Sequence, residues 1–189
     1  MAALSSTGRI NARGPMGDQS YVDAAVLIPL VEREKGFDVL LTRRAAHLKH
    51  HPGQVSFPGG RKETGDASLD ITALRETHEE TGISPDFIEL VGHLPRMYTI
   101  SAYDVHPVVG RVRTGFALDP DPAEVDSVFF VPLAFFLEPD NRLEADVTYQ
   151  GTTVRMAEWH YDGERVWGAT AAMLLVLINI LNTATDGAG

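Results

Sequence analysis

Residues 59–83 read GGRKETGDASLDITALRETHEETGI, and the rest of the chain is read outward from this stretch. Asp66 and Ser68 are capping-type residues, and Gly82 suits the position just past a helix end. Ser68 to Thr81 is therefore expected to be helical. At about 100° per residue, Glu76, Glu79 and Glu80 share one face of that helix. Ile71 and Leu74 fall on the opposite face, where they are expected to anchor it to a core. Three carboxylates on one face repel one another by about 0.2–0.5 kcal/mol per pair. A solvated acidic face accounts for that spacing by itself. The stretch just upstream, Gly53-Gln54-Val55-Ser56-Phe57-Pro58-Gly59-Gly60, shifts the reading, because paired glycines let a backbone approach a ligand or metal closely. A glycine-rich loop, a capped helix and a carboxylate triad together describe a metal–phosphate centre. Hard cations such as Mg2+ prefer carboxylate oxygens, neutralise phosphate and activate water.

Working outward, Ala24–Leu30, Phe37–Thr42, Gln54–Phe57, Phe87–Leu94, Val105–Val112 and Val128–Val131 read as strands. Leu133–Leu137 reads as a helical turn after Pro132. Val147–Tyr149 and Thr152–Tyr161 suggest a hairpin turned at Gln150-Gly151, and Ala169–Leu181 is the final helix. Strands interleaved with two clear helices predict an α/β fold with a mixed sheet. One domain over residues 21–182 is expected, between a flexible N-terminal segment, 1–20, and a flexible C-terminal tail, 183–189.

Composition agrees with one globular unit: 189 residues, 44% hydrophobic and 22% charged. The absence of cysteine excludes disulfides, thiolate catalysis and Cys-ligated zinc. Lys+Arg 16 against Asp+Glu 26 gives a net charge of −10, which argues against nucleic acid and anionic membranes as partners. The run Ala169–Leu181 is shorter than the ~20 residues of a membrane span, and a cytoplasmic protein is expected. The average hides a pattern. Val39–Lys62 contains no Asp or Glu but carries Arg43, Arg44, Lys49, Arg61 and Lys62. Residues 63–89 hold eight acids against Arg75 alone.

The run Arg75-Glu76-Thr77-His78-Glu79-Glu80-Thr81-Gly82-Ile83 resembles the R-E-U-x-E-E-x-G-U core of the Nudix box, found in hydrolases of nucleoside diphosphates linked to another moiety. Three departures stand out. The spacing from Gly60 to Arg75 is one residue long, Asp66 replaces the early glutamate, and Thr77 replaces an aliphatic residue. Upstream, Leu40-Leu41-Thr42-Arg43-Arg44-Ala45, Lys49, Gly53 and Phe57-Pro58-Gly59-Gly60 resemble the signature of the coenzyme A pyrophosphatase branch, with Lys49 where Arg is usual. Val166-Trp167-Gly168-Ala169-Thr170-Ala171 is similar to a late W-G-x-T-A segment of that branch.

The resemblance implies a Nudix-type α/β/α sandwich with a mixed β-sheet. It implies Mg2+ or Mn2+ held by the Gly60 carbonyl and by Glu76, Glu79 and Glu80, with Arg75 orienting the glutamates. Water would attack a phosphorus of the coenzyme A diphosphate to give 3′-phospho-AMP and 4′-phosphopantetheine. Glu124, in the acidic loop Asp119–Asp126, is a candidate base, and a solvated loop charge is its plainer use. Gly59, Arg43, Arg44, Lys49 and Arg61 are candidate substrate-binding residues, a cationic rim suited to a small-molecule coenzyme A-like nucleoside diphosphate derivative. ADP-ribose, NADH or another dinucleotide is the alternative substrate within the superfamily, and a non-catalytic nucleotide-metabolite sensor is the alternative outside it. His47, His50 and His51 have helix-like ligand spacing without support elsewhere for zinc. Trp159, Tyr161 and Trp167 are expected in the core. The Met173–Leu181 run is expected to be a core helix, with a homodimer surface as its other use.

Overall fold

The computed structural model describes residues 21–149 and 152–186. Among them, eight strands form one mixed sheet: β1 (Val22–Arg33), β2 (Gly36–Arg44), β3 (Val55–Ser56), β4 (Gly59–Arg61), β5 (Ile88–His93), β6 (Met97–Tyr98), β7 (Tyr103–Val112) and β8 (Val125–Pro132). A smaller antiparallel sheet contains β9 (Leu143–Tyr149), β10 (Thr152–Tyr161) and β11 (Glu164–Val166). The helices are α1 (Leu69–Thr81), α2 (Leu133–Leu137) and α3 (Gly168–Asp186).

β1 organises the large sheet. One edge runs parallel to β7 from Val22↔Tyr103 to Val31↔Val112. The other edge forks: Leu30–Arg33 pair antiparallel with β2, and Ala24–Val26 pair antiparallel with β4. Between the two arms, Leu27 N–H donates to the Pro58 carbonyl at 2.9 Å. Alternation along β1 sends Ala25 and Leu27 to one face, where they meet Ala73 of α1 and Val108 of β7. Ala24 and Ile28 point to the other face, into a core with Val39, Leu41, Val131, Phe136, Trp159 and the α3 residues Leu174 and Leu177. Two helical layers thus cover a mixed sheet, as the α/β/α expectation requires.

Several elements differ from the sequence reading. Gly59–Arg61 forms β4, a strand absent from the sequence reading, because its pairing partner is the distant β1. The strand expected at Gln54–Phe57 shortens to Val55–Ser56, and β8 begins at Val125 rather than Val128. α3 continues through Asp186, past the expected domain end at 182. Residues 1–20, the Gln150-Gly151 turn and residues 187–189 lie outside the described residues. No helix among the described residues is long and apolar enough to cross a membrane.

α1 is the clearest correction. Ile71 is 45% exposed and Leu74 only half-buried, so neither anchors the helix as expected. The buried face is Thr72, Ala73, Thr77, Glu80 and Thr81. The threonines go inside because their hydroxyls are satisfied locally. Thr77 Oγ1 donates to the Ala73 carbonyl at 2.7 Å, and Thr81 Oγ1 to the Thr77 carbonyl at 2.5 Å. Small side chains on this face let α1 sit low on β1 and β4. The caps fall where expected: Ser68 accepts from Ile71 N–H, and Gly82, at φ +78°, donates to the His78 carbonyl.

Gly59 has φ +157°, and a Cβ there would lie 2.6 Å from Val26 Cα, a backbone atom that cannot swing away. Gly59→Ala should therefore destabilise the fold by about 1–3 kcal/mol, the usual range for overpacking. Gly65→Ala, where a Cβ meets nothing within 4 Å, should stay within about 0.5 kcal/mol of the parent. Urea unfolding of the two variants checks this, and equal midpoints would refute the tight-approach account.

Candidate functional site

α1 lays its carboxylates against β4. A Cβ added to Gly60 would fall 2.5 Å from Glu76 Cδ, so the Glu76 carboxylate occupies the space that glycine leaves open. The Gly59 N–H donates to Glu80 Oε2 at 3.2 Å. Glu80 is buried, Glu76 mostly so, and Glu79 is exposed at the rim. The three glutamates thus reach from solvent to the sheet surface, rather than forming a uniformly solvated face.

Arg75 ties this face together. Its Nη1 donates to Glu79 Oε2 at 2.8 Å, and its Nη2 lies 3.0 Å from Glu76 Oε1 and donates to the Arg61 carbonyl at 3.1 Å. Nε and Nη2 also grip the two oxygens of Asp66, at 3.1 and 3.0 Å. Asp66 is itself held by the Glu63 N–H and the Thr72 hydroxyl, each at 2.9 Å. Hydrogen bonds from Arg75, then from the Glu63 N–H, hold the Asp66 carboxyl well below the usual carboxylate range. The sequence marks Asp66 as a cap and as a stand-in for an early glutamate. Its grip on Arg75, nine residues away, is a tertiary feature.

Burial works the other way on the glutamates. It pushes Glu80 up to about 8, against the opposing pull of Arg44, with Glu76 and Glu124 adding repulsion. Burial also raises Glu76 against Arg75, and Glu79 and Glu124 reinforce the rise. Glu124 stands exposed immediately before β8, and its carbonyl accepts from the Ala45 N–H at 2.8 Å, which ties its loop to the end of β2. The structure thus brings Glu124 within electrostatic reach of the glutamate pair. Four carboxylates meeting two guanidiniums form an oxygen-rich, under-neutralised donor set that fits a hard divalent cation. Gly60 lies against the Glu76 carboxylate, so its backbone borders this donor set.

The basic candidates separate by position. Arg44 Nη1 lies 3.9 Å from Glu80 Oε1, and its buried Nε has no hydrogen-bond partner. Arg43 spends its guanidinium elsewhere, with Nε 2.8 Å and Nη2 2.6 Å from Asp126 Oδ2 and Nη1 2.6 Å from Glu164 Oε1. Lys49 and Arg61 are exposed, and neither forms an ion pair with another of the described residues. Thr170, in the late motif, donates to the Val55 carbonyl at 3.1 Å and so fastens α3 to the strand that leads into Gly59. His47 bonds the Ala123 carbonyl at 3.0 Å, and His78 is exposed away from the glutamates. Trp159 is fully buried beside Phe136, whereas Trp167 is half-buried under the Arg165 guanidinium.

Asp66→Asn keeps the size of the side chain and removes its charge. It should cost about 1.5–3 kcal/mol, the range for a hydrogen bond to a charged group. The sign follows from a depressed native pKa. The stabilisation is complete above the unfolded carboxylate's value of ~4 and fades as pH falls below it. Unfolding at pH 7, 5 and 3 should show an equal gap between parent and variant at the first two and a smaller gap at the third. A gap that widens in acid would contradict the Arg75 tether.

The model of the NUDIX domain matches residues 22–159. NudL of Enterobacter sp. (strain 638), an uncharacterized Nudix hydrolase, is 42% identical over 151 residues, covering 80% of this chain and 78% of its own. Among solved structures, a MutT/nudix family protein from Enterococcus faecalis has TM-score 0.52 at 19% identity, covering 89% of this chain and 63% of its own. The Nudix hydrolase RenU from M. smegmatis has TM-score 0.52 at 19% identity, covering 62% and 74%. At such identities the solved structures speak for the fold alone. A domain match over most of the chain and a relative at 42% identity show that it belongs to the Nudix hydrolases, enzymes that act on pyrophosphate bonds and generally use divalent metal ions.

Proposed function

We propose that this hydrolase cleaves the diphosphate of coenzyme A or its derivatives, yielding 3′-phospho-AMP and 4′-phosphopantetheine. The observation that carries the reading is Arg44, an arginine of the upstream signature placed beside Glu80 with an unsatisfied Nε. A guanidinium donor next to a carboxylate cluster suits a diphosphate that must meet both a cation and hydrogen-bond donors. The Gly60 carbonyl, Glu76, Glu79 and Glu80 would hold Mg2+ or Mn2+, which supplies neutralisation of phosphate oxygens and a more acidic attacking water.

The chain's own residues do the rest. Water oxygen attacks one phosphorus, the bridging P–O bond breaks, and Glu124 accepts the water proton. Arg75, anchored by Asp66, is a positioning residue that holds Glu76 and Glu79 directly. Arg44 binds the diphosphate. Lys49 and Arg61 form the cationic rim that meets the 3′-phosphate. Arg43, already shared between Asp126 and Glu164, braces the segment.

The test is a substrate panel of coenzyme A, its 3′-dephospho form, ADP-ribose and NADH with Mg2+ or Mn2+. Coenzyme A should show the highest kcat/KM. Faster turnover of ADP-ribose or NADH rejects the substrate, and no turnover of any diphosphate points to a nucleotide-metabolite sensor. Glu79→Gln should lower kcat by orders of magnitude through a weakened cation ligand; near-normal rates refute the metal assignment. Lys49→Ala should raise KM for coenzyme A more than for the 3′-dephospho form. Equal changes remove the 3′-phosphate contact from the proposal.

A further inference from the structure

On the β5 and β7 side of α1, three side chains that the diphosphatase reading does not use converge. Asp70 sits in the first turn of α1, His93 ends β5 and His106 lies in β7. One ligand atom from each lies within 4.8 Å of the others. His93 Nε2 is 2.8 Å from Asp70 Oδ1, and the two imidazole rings stand 5.2 Å apart at 64°. The sheet fixes the histidines. His93 pairs with Val108, so His106 is its diagonal neighbour two residues along β7. A surface hydrogen bond accounts for His93 and Asp70, but it leaves His106 Nδ1 buried without a partner.

We propose that Asp70, His93 and His106 form a second cation site, selective for a transition metal of the Zn2+ class. Two imidazoles and one carboxylate are a donor set for zinc, nickel or copper, whereas Mg2+ takes oxygen. The 2.8 Å separation of His93 Nε2 and Asp70 Oδ1 suits bonds of about 2.0–2.2 Å to a shared ion, and the His106 ligand atom lies within 4.8 Å of both. Asp70 and His93 are 38% and 47% exposed, so a fourth position opens on solvent.

The site is separate from the glutamate centre. His106 is in register with Ala25, and Ala25 with Gly60, which places two strand spacings, about 10 Å, between them. Asp70 precedes Glu76 by six residues, about 9 Å along the helix. A metal here would pin the start of α1 to β5 and β7, the same helix whose later turns carry the glutamates.

The experiment uses the full chain carrying Glu76→Gln and Glu79→Gln, so that the first centre is weakened. Zinc is titrated by chelator competition in excess Mg2+, and Co2+ is followed by its visible absorption. One zinc should bind, thermal unfolding should shift upward, and Co2+ should give the intense bands of a low-coordinate site. Adding His93→Ala or His106→Ala should weaken zinc by more than about 100-fold, beyond the loss of an outer-shell partner. His93 is exposed, so its variant remains informative should the His106 variant fold poorly. No zinc bound in the glutamine background overturns the proposal. Zinc binding unchanged by His93→Ala overturns it too, and would assign the metal to another group such as His47, His50 and His51.

Discussion

The close approach of α1 to the backbone of Gly59 and Gly60 is the contact on which the site depends. β1 carries two different strands on one edge, and β4 can join it only because Gly59 has no side chain to strike Val26. With β4 in place, Gly60 leaves the gap that the Glu76 carboxylate fills, and Gly59 offers its N–H to Glu80. The threonine and alanine face of α1 then lets the helix settle to that depth. Larger side chains at either layer would lift the carboxylates away from the backbone that shares their site.

That depth has an electrostatic consequence. Carboxylates brought under a helix lose hydration, and burial raises both Glu76 and Glu80. Arg75 compensates from one side and Arg44 from the other, but their situations differ. Arg75 is saturated by Asp66, Glu76, Glu79 and the Arg61 carbonyl, so its position is fixed before any ligand arrives. Arg44 retains an unsatisfied donor. The arrangement is therefore preorganised for the glutamates and incomplete for an anion, the asymmetry expected where binding energy is to come from the ligand.

Much of this was legible in the sequence, and the failures share a cause. The helix, its caps and most long strands follow from local periodicity and capping chemistry. The buried face of α1 did not, because Thr72, Thr77 and Thr81 score as polar while their hydroxyls are satisfied by Asp66 or the helix's own carbonyls. β4 was hidden because a glycine pair carries no strand periodicity of its own, and only the distant strand β1 makes it a strand. Asp66, His93 and His106 gain their roles from partners on other elements. Spacing within one segment carries no trace of such pairings. The late Trp167-to-Ala171 motif gave a hint of a different kind. Its Thr170 hydroxyl holds the Val55 carbonyl, which joins the C-terminal helix to the strand just before Phe57-Pro58-Gly59-Gly60.

The two adjacent arginines show how the fold divides a single basic segment. Successive residues of a strand point to opposite faces, so Arg43 and Arg44 at the end of β2 cannot serve one ligand together. Arg43 reaches Asp126 at the start of β8 and Glu164 of β11, linking the large sheet to the small one. Arg44 turns to Glu80 and the α1 face. The register shift between Arg43 and Arg44 in the β2–β8 pairing sits at this division and passes directly into Glu124 and Val125. The irregularity leaves Asp126 of β8 without a partner on β2, and its carboxylate is the one that Arg43 holds. A charge tally over Val39–Lys62 counts both arginines toward an anionic ligand, but the pleat gives one to the scaffold and one to the site.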